Sequence, residues 1–336
     1  MADEPWRVPS TVQELAANVQ EPPSRYLVPE QERLSDHLAG AEMPEPVPTV
    51  DLRRLLASDD GAGEEAAKLR SALRSWGFFL VTDHGIEASL MDALIAASRE
   101  FFHKPLEEKQ AYSNLIEGKQ WQLEGYRNDP VKTQDQILDW SDRLHLRVEP
   151  EDERNLDRWP GHPESFRLEL DDDGCILNQF GDKQGSTHAR FNYYPACPRP
   201  DLVLGIRPHS DVCVLTLLLM DEHVAGLQVL RDGTWYGVPP VRGRRALLVN
   251  VGVSLEDTSG LSGPHSDYPG PMILGVTMSL AMFYSADLEK EIEPIAELLD
   301  EKQQPARYRK IKFWDFVATH YEYFSKRERV IESLKI

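Results

Sequence analysis

The sequence predicts a mainly β protein, a sandwich or jelly-roll barrel, preceded by a helical N-terminal region. From Arg190 onward, short apolar segments alternate with Gly, Asp and Pro turns, a pattern typical of such β folds. The pair Asp232-Gly233 stands between two of these segments and predicts a tight hairpin. We predict strands at residues 190–194, 203–206, 212–220, 226–230, 234–238, 246–251 and 278–284.

The first half of the chain carries helical signals instead. A short amphipathic helix is predicted at residues 9–20, capped by Ser10 or Thr11 and ended by the Pro-rich piece that follows. The Pro-bearing residues 40–49 predict an extended connector, and the β-prone run 76–81 predicts a strand. Further helices are expected from the apolar spacing at residues 64–75, 87–102 and 106–112, and across the C-terminal segment 308–336, which we expect to pack on the outside of the barrel.

Composition excludes several classes of function. The 336 residues include 37 Lys and Arg against 56 Asp and Glu, a formal net charge of −19. This acidic balance argues against nucleic acid or an anionic membrane as partner, because phosphate binding needs a basic surface. Three cysteines are too few for a disulfide framework, so we expect a reducing, cytoplasmic setting. The start of the chain lacks the apolar core of a secretory signal, and no apolar run is long enough to span a bilayer.

The sharpest chemical signal is the pair His209 and Asp211. Residues two apart point the same way on an extended backbone, so an imidazole and a carboxylate would share one face. With a second histidine, this pair would form the two-His, one-carboxylate set that binds Fe(II) and leaves positions open. The alternative is structural: His209 lies in a turn that Asp211 caps. Two other histidines have structural interpretations, His84 as a turn residue and His145 as a satisfied strand residue.

Several dispersed motifs resemble one family in the correct order along the chain. They are Trp76-Gly77-Phe78-Phe79 with Asp83-His84-Gly85, Asn192-Tyr193-Tyr194-Pro195, Pro208-His209-Ser210-Asp211, Gly226-Leu227-Gln228-Val229, Val249-Asn250-Val251-Gly252 and the segment 279–284. On these residues the chain is similar to plant-type dioxygenases that depend on 2-oxoglutarate and Fe(II), the group of flavonoid, hormone and alkaloid oxygenases.

The resemblance implies a cupin-like double-stranded β-helix (jelly roll) that carries iron, with helical N-terminal and C-terminal segments. His209 and Asp211 would be two iron ligands, while Tyr194, Asn192 and Ser279 would contact 2-oxoglutarate. Ascorbate would serve as reductant. The implied division of the chain is an N-terminal extension at 1–46, a helix and strand region at 47–167, the jelly-roll core at 184–286 and a C-terminal helical segment at 287–336.

Two departures from the family pattern concern the site itself. His265 stands near the position of the family's distal iron ligand, but Ser266 follows it where the family has Arg, and its surroundings are turn-like. It is either the third ligand or an exposed loop histidine. Thr277 stands where the family's Arg-x-Ser pair has its arginine. Losing one partner of a buried charge pair costs about 3–5 kcal/mol, so we expect 2-oxoglutarate to bind weakly or not at all.

A third departure is a shortened connection after Phe166-Arg167, where the family has a long helix. Together with the Gly- and Pro-rich segment 253–277, it indicates an altered transcript or gene model. The function implied is an oxidoreductase that uses Fe(II), O2 and 2-oxoglutarate to hydroxylate, desaturate or demethylate a small plant metabolite or hormone, as a monomer. The alternatives are a catalytically impaired member that only binds a metal or small molecule and, more distantly, a metal-free cupin-like storage protein.

Overall fold

The computed structural model describes residues 10–30, 40–58, 60–116, 120–129, 131, 136–161, 185–223, 226–254, 277–293, 308–326 and 333–335. Within them the helices are α1 (Val12–Asn18), α2 (Leu52–Leu55), α3 (Asp60–Ser75), α4 (Ala88–His103), α5 (Leu106–Gln110) and α6 (Phe313–Lys326). The strands are β1 (Thr49–Asp51), β2 (Phe78–Thr82), β3 (Leu115–Ile116), β4 (Gln120–Trp121), β5 (Gly125–Arg127), β6 (Asp142–Glu149), β7 (Gly185–Tyr194), β8 (Leu215–Met220), β9 (Gln228–Arg231), β10 (Thr234–Gly237), β11 (Ala246–Val251), β12 (Thr277–Ala286), β13 (Glu291–Ile292) and β14 (Ile311–Lys312).

Eight of these strands form one sheet in the order β1-β2-β11-β8-β12-β7-β6-β5. Only β1 and β2 run parallel within it; the other neighbours are antiparallel. The expected β core is therefore confirmed, and this large sheet is its main wall. Strands β9 and β10 form the hairpin predicted from Asp232-Gly233, and both turn residues have positive φ, as a tight two-residue turn requires.

The two faces of the sheet have different surroundings because side chains alternate along each strand. On β7, Ala189, Phe191 and Tyr193 are buried against the main hydrophobic core. Helix α4 supplies the opposite side of that core with residues at helical spacing, among them Leu94, Phe101 and Phe102. The polar residues between them on β7 face the other way, into a cavity. The sheet thus separates a dry core from the interior where the site lies.

Two sequence-based expectations were wrong. Residues 203–206 are not a strand; they follow a short 3-10 helix at Pro200–Leu202, and Val203 is buried beside Trp140. The C-terminal segment does not pack on the outside of the barrel. Its helix α6 lies over the cavity, where Phe313 and Val317 line the interior. An aromatic, amphipathic helix can pack on the outside of the barrel or lie over its cavity, so the sequence pattern alone does not distinguish the two positions.

Asp142 joins the N-terminal helix to the sheet. It is fully buried at the start of β6, and its two carboxylate oxygens accept hydrogen bonds from the backbone N–H groups of Val12 and Gln13, each at 2.8 Å. These donors lie at the first turn of α1, where helical partners are lacking. Thr11 and Glu14 form a reciprocal capping box at the same turn, so the predicted Thr11 cap is confirmed.

We expect Asp142→Ala to lower the free energy of unfolding by about 1–3 kcal/mol, because two buried N–H donors would lose their acceptor. Urea denaturation followed by circular dichroism measures this change. Asp142→Asn, which keeps one acceptor oxygen and the shape, should lose less. A stability of the Ala variant equal to that of the wild type would show that the contact does not hold α1.

Candidate active site

The inner face of the sheet borders a cavity of about 550 Å³. Alternate residues of β6, β7, β8 and β12 point into it, and α6 contributes Trp314 and His320 at one end. Every sequence-predicted site residue that the structure describes lines this one cavity; these are His209, Asp211, Tyr194, Asn192 and Ser279.

His209 lies in the segment before β8. Its Nδ1 is 2.8 Å from the backbone carbonyl oxygen of Arg207. A carbonyl only accepts, so Nδ1 carries the proton and donates, and the lone pair of the neutral ring is on Nε2. Nε2 in turn is 3.6 Å from Oδ1 of Asp211. The chain thus presents a metal-binding nitrogen beside a carboxylate oxygen, although the segment is not part of a strand.

Asp211 is oriented by two donors. Its Oδ2 accepts a hydrogen bond from the Thr216 hydroxyl at 2.5 Å and from the Asn250 side-chain amide at 2.8 Å. Gly252 allows β11 to approach this turn, because a Cβ there would fall 1.8 Å from the Cys213 carbonyl oxygen. With Oδ2 engaged, Oδ1 is the oxygen that faces His209. Such outer partners fix the geometry of ligating side chains.

The third ligand is not settled by these residues. His265 lies outside the described residues. Within the part of the chain that the structure describes, no cluster of three His, Cys, Asp or Glu side chains suits a metal ion. His320 on α6 borders the same cavity, and burial, with a further contribution from His209, lowers its pKa to about 4. The described residues therefore supply at most two donors, His209 and Asp211, of a two-His, one-carboxylate set.

Three of the predicted residues meet at the deeper end of the cavity. Asn192 donates from its side-chain amide to the Ser279 hydroxyl at 3.2 Å, since the two residues are paired across β7 and β12. Tyr194, two residues further along β7, is paired with Thr277 of β12. Burial raises the pKa of Tyr194 to about 12, so it is a neutral hydroxyl. Thr277 faces the cavity without bringing a positive charge.

Arg190 and Arg207, the possible replacements for the missing arginine, do not lie on solvated faces as expected. Both line the cavity, and each has an acidic partner at 2.8 Å: Asp129 for Arg190 and Asp139 for Arg207. Asp129 also accepts from Arg143 at 2.7 Å. Burial alone would raise the pKa of Asp129, but the charges of Arg190 and Arg143 hold that pKa well below its usual range. Arg190 and Arg207 are thus already engaged by acidic partners, although Asp129 is shared between Arg190 and Arg143.

His145 is a buried strand residue that contacts another histidine, but only one of its ring nitrogens is satisfied, because its buried Nδ1 has no hydrogen-bond partner among the described residues. Its Nε2 is 3.2 Å from Nδ1 of His188 on the neighbouring strand. Burial lowers the pKa of both rings, that of His188 to about 4, where the nearby Arg147 adds to the effect. Both rings are therefore neutral at pH 7. His84 is also structural, because its Nδ1 accepts a hydrogen bond from the backbone N–H of Ile86.

Comparison with known proteins agrees with this architecture. Residues 47–162 match the family model described as non-haem dioxygenase in morphine synthesis N-terminal, and residues 186–267 match that of the 2OG-Fe(II) oxygenase superfamily. A rice protein named 2-oxoglutarate-dependent dioxygenase 11 is 32% identical over 94% of this chain and 91% of its own length. The chain belongs to the 2-oxoglutarate- and Fe(II)-dependent oxygenase family.

Members of this oxygenase family similar to the chain act on small molecules. Codeine O-demethylase of Papaver somniferum is 32% identical over 92% of this chain and 91% of its own length. Among solved structures, the crystal structure of JOX2 in complex with 2OG, Fe and JA superposes with a TM-score of 0.82 at 29% identity, covering 99% of this chain and 100% of that one. The predicted jelly-roll class is confirmed by this neighbour. No described helix has the length and apolarity needed to cross a bilayer.

Sequence reasoning missed several residues of the site. Thr216 and Asn250 donate hydrogen bonds to Asp211, and no sequence pattern indicates this, because only the fold brings β8 and β11 to Asp211. The His145–His188 and Arg190–Asp129 contacts likewise join residues far apart in sequence. One signal was present: alternation along β7 places residues 186, 188, 190, 192 and 194 on one face.

We expect the free energy of unfolding to fall less steeply for His188→Gln than for the wild type as the pH decreases from 6.5 to 4. In that window the unfolded chain protonates His188, whereas the folded chain, with its pKa near 4, does not, so acid favours unfolding. Urea denaturation at each pH measures the difference. Equal slopes would show that His188 is not buried as a neutral ring. His320 and Asp142, with pKa values of about 4 and about 6, are common to both proteins.

Proposed function

We propose that Nε2 of His209 and Oδ1 of Asp211 are two ligands of Fe(II), and that His265 is the third. The observation that carries this proposal is the orientation of the pair. The Arg207 carbonyl fixes the tautomer of His209, and Thr216 and Asn250 hold the other oxygen of Asp211. Nε2 of His209 and Oδ1 of Asp211 lie side by side at 3.6 Å, a suitable start for a two-His, one-carboxylate site.

We further propose that Tyr194, Asn192 and Ser279 contact 2-oxoglutarate. In this family the bound iron and cosubstrate couple decarboxylation of 2-oxoglutarate to oxidation of a small molecule. Among the described residues, Tyr194, Asn192 and Ser279 supply neutral hydrogen-bonding groups for the cosubstrate, and the lining arginines Arg190 and Arg207 are already engaged by acidic partners. The described residues therefore fit the iron better than the cosubstrate.

A catalytically impaired oxygenase is the second candidate. Thr277 at the cosubstrate end and the pairing of Arg190 with Asp129 favour it. Such a protein would bind a metal or a small molecule without turnover.

The finer assignments are proposals of the same kind. The substrate would be a flavonoid-, alkaloid- or hormone-like metabolite, since an acidic protein with a cavity of about 550 Å³ suits a small molecule better than a polymer. We propose a cytoplasmic monomer that uses ascorbate as reductant in plant secondary metabolism. The functional units would be 47–167 and 184–286, flanked by 1–46 and 287–336.

The metal site predicts a graded response to substitution. His209→Ala and Asp211→Ala should abolish tight binding of Mn(II), measured from the electron paramagnetic resonance signal of the free ion. Thr216→Val should weaken Mn(II) binding by about 10- to 100-fold, because Oδ2 of Asp211 loses a partner.

Thr187→Val is the matched control, since Thr187 is buried on β7 but does not line the cavity. It should leave Mn(II) binding unchanged. Wild-type affinity in His209→Ala would refute the site. Wild-type affinity in His265→Ala, with loss in His209→Ala, would refute only the assignment of the third ligand.

Restoring the missing charge should restore cosubstrate binding. We expect Thr277→Arg to tighten 2-oxoglutarate binding by about a hundredfold or more, the equivalent of 3–5 kcal/mol for a buried charge pair. Calorimetric titration with Mn(II) present measures this. Thr277→Met, of similar length but uncharged, should have no such effect. A micromolar dissociation constant for the wild type would contradict the account of Thr277.

A further inference from the structure

The His145–His188 pair lies on the same wall of the cavity as the residue that orients Asp211. His188 on β7 is paired with Phe283 on β12, and Phe283 is paired on its other side with Thr216 on β8. Thr216 donates to Asp211. His188 and the partner of Asp211 are thus on the same rung of the sheet, separated by one strand, or about 10 Å for two interstrand steps. A molecule held at His188 would therefore reach toward His209 and Asp211.

The geometry of the pair fixes which ring atom faces the cavity. Nδ1 of His145 is buried and makes no hydrogen bond to any described residue. An orphaned buried N–H is rarer than an orphaned acceptor, so we place the proton of His145 on Nε2. Nε2 then donates to Nδ1 of His188, and the proton of His188 is on its own Nε2. No hydrogen bond among the described residues uses that N–H, and His188 lines the cavity.

The arginines that line the cavity are engaged by acidic side chains, and Arg143, which shares Asp129 with Arg190, is not among the lining residues. Each lining arginine of the described chain has an acidic partner: Asp129 for Arg190, Asp139 for Arg207, and Glu124 with Glu153 for Arg147. Asp221 is likewise 3.5 Å from Arg99. A ligand carboxylate at His188 would gain no uncompensated positive charge. The surrounding walls are largely apolar and include Phe283, whose ring lies nearly parallel to that of His145.

We propose that the Nε2–H of His188, held in place by His145, donates a hydrogen bond to an uncharged oxygen, such as a ketone, of a mainly apolar small-molecule substrate. His188 is then a specificity-determining residue, and His145 is a positioning residue. This inference rests on the proposed function, because the cavity holds a substrate only if the protein is an oxygenase that acts on a small molecule. It narrows the substrate class to neutral, oxygen-bearing molecules.

Three probes with one carbon skeleton test the assignment: 1-indanone, indane and indane-1-carboxylate. We expect metal-free wild type to bind 1-indanone about three- to tenfold more tightly than indane, and indane-1-carboxylate no more tightly than 1-indanone, by NMR titration. His188→Phe should remove the preference for the ketone while keeping indane binding. The ¹³C carbonyl resonance of bound 1-indanone should show hydrogen bonding in the wild type and lose that shift in His188→Phe.

His145→Phe should reduce the preference and the carbonyl shift, because the tautomer of His188 is no longer fixed. His223→Phe, at an exposed position, is the control and should change neither. An unchanged ketone preference in His188→Phe, a stronger binding of the carboxylate by the wild type, or no binding of 1-indanone would overturn the proposal. Since the probes are measured without metal, such a failure is distinct from a failure of Mn(II) binding.

Discussion

The site depends on how the two oxygens of one carboxylate are used. Oδ2 of Asp211 is held by a hydroxyl from β8 and an amide from β11, and only Oδ1 is directed at His209. A carboxylate free to rotate would lose conformational entropy on binding a metal. Here the sheet has fixed the orientation beforehand, so the arrangement of neighbouring strands β8 and β11 determines whether the chain presents a metal site.

The same sheet sets the limits of the chemistry. Its core face packs on α4, while its inner face brings together the imidazole and carboxylate at one level and Tyr194, Asn192 and Ser279 at another. Each arginine on this face has an acidic partner: Arg207 is paired with Asp139, while Arg190 shares the carboxylate of Asp129 with the buried Arg143. Lining arginines that are already paired with acids favour neutral ligands over a dicarboxylate. Thr277 brings no further positive charge to this face, and the preference inferred for His188 agrees with that arrangement.

Much of the fold could be predicted from the sequence because its signals are local. Strand β11 was predicted with its observed bounds, and the Asp232-Gly233 turn and the Thr11 cap follow from short-range chemistry. The strand predicted at 203–206 was wrong because an apolar run suits a buried loop as well as a strand. The predicted position of α6, on the outside of the barrel, was wrong because amphipathicity does not reveal which surface a helix covers.

For the site, spacing and resemblance identified His209 and Asp211, but the contacts that orient them join distant parts of the chain. Crystals of the protein soaked in Mn(II) would test the account most directly through anomalous scattering. The account predicts one peak within about 2.0–2.3 Å of Nε2 of His209 and Oδ1 of Asp211. Binding through Oδ2, or a peak away from both residues, would contradict it.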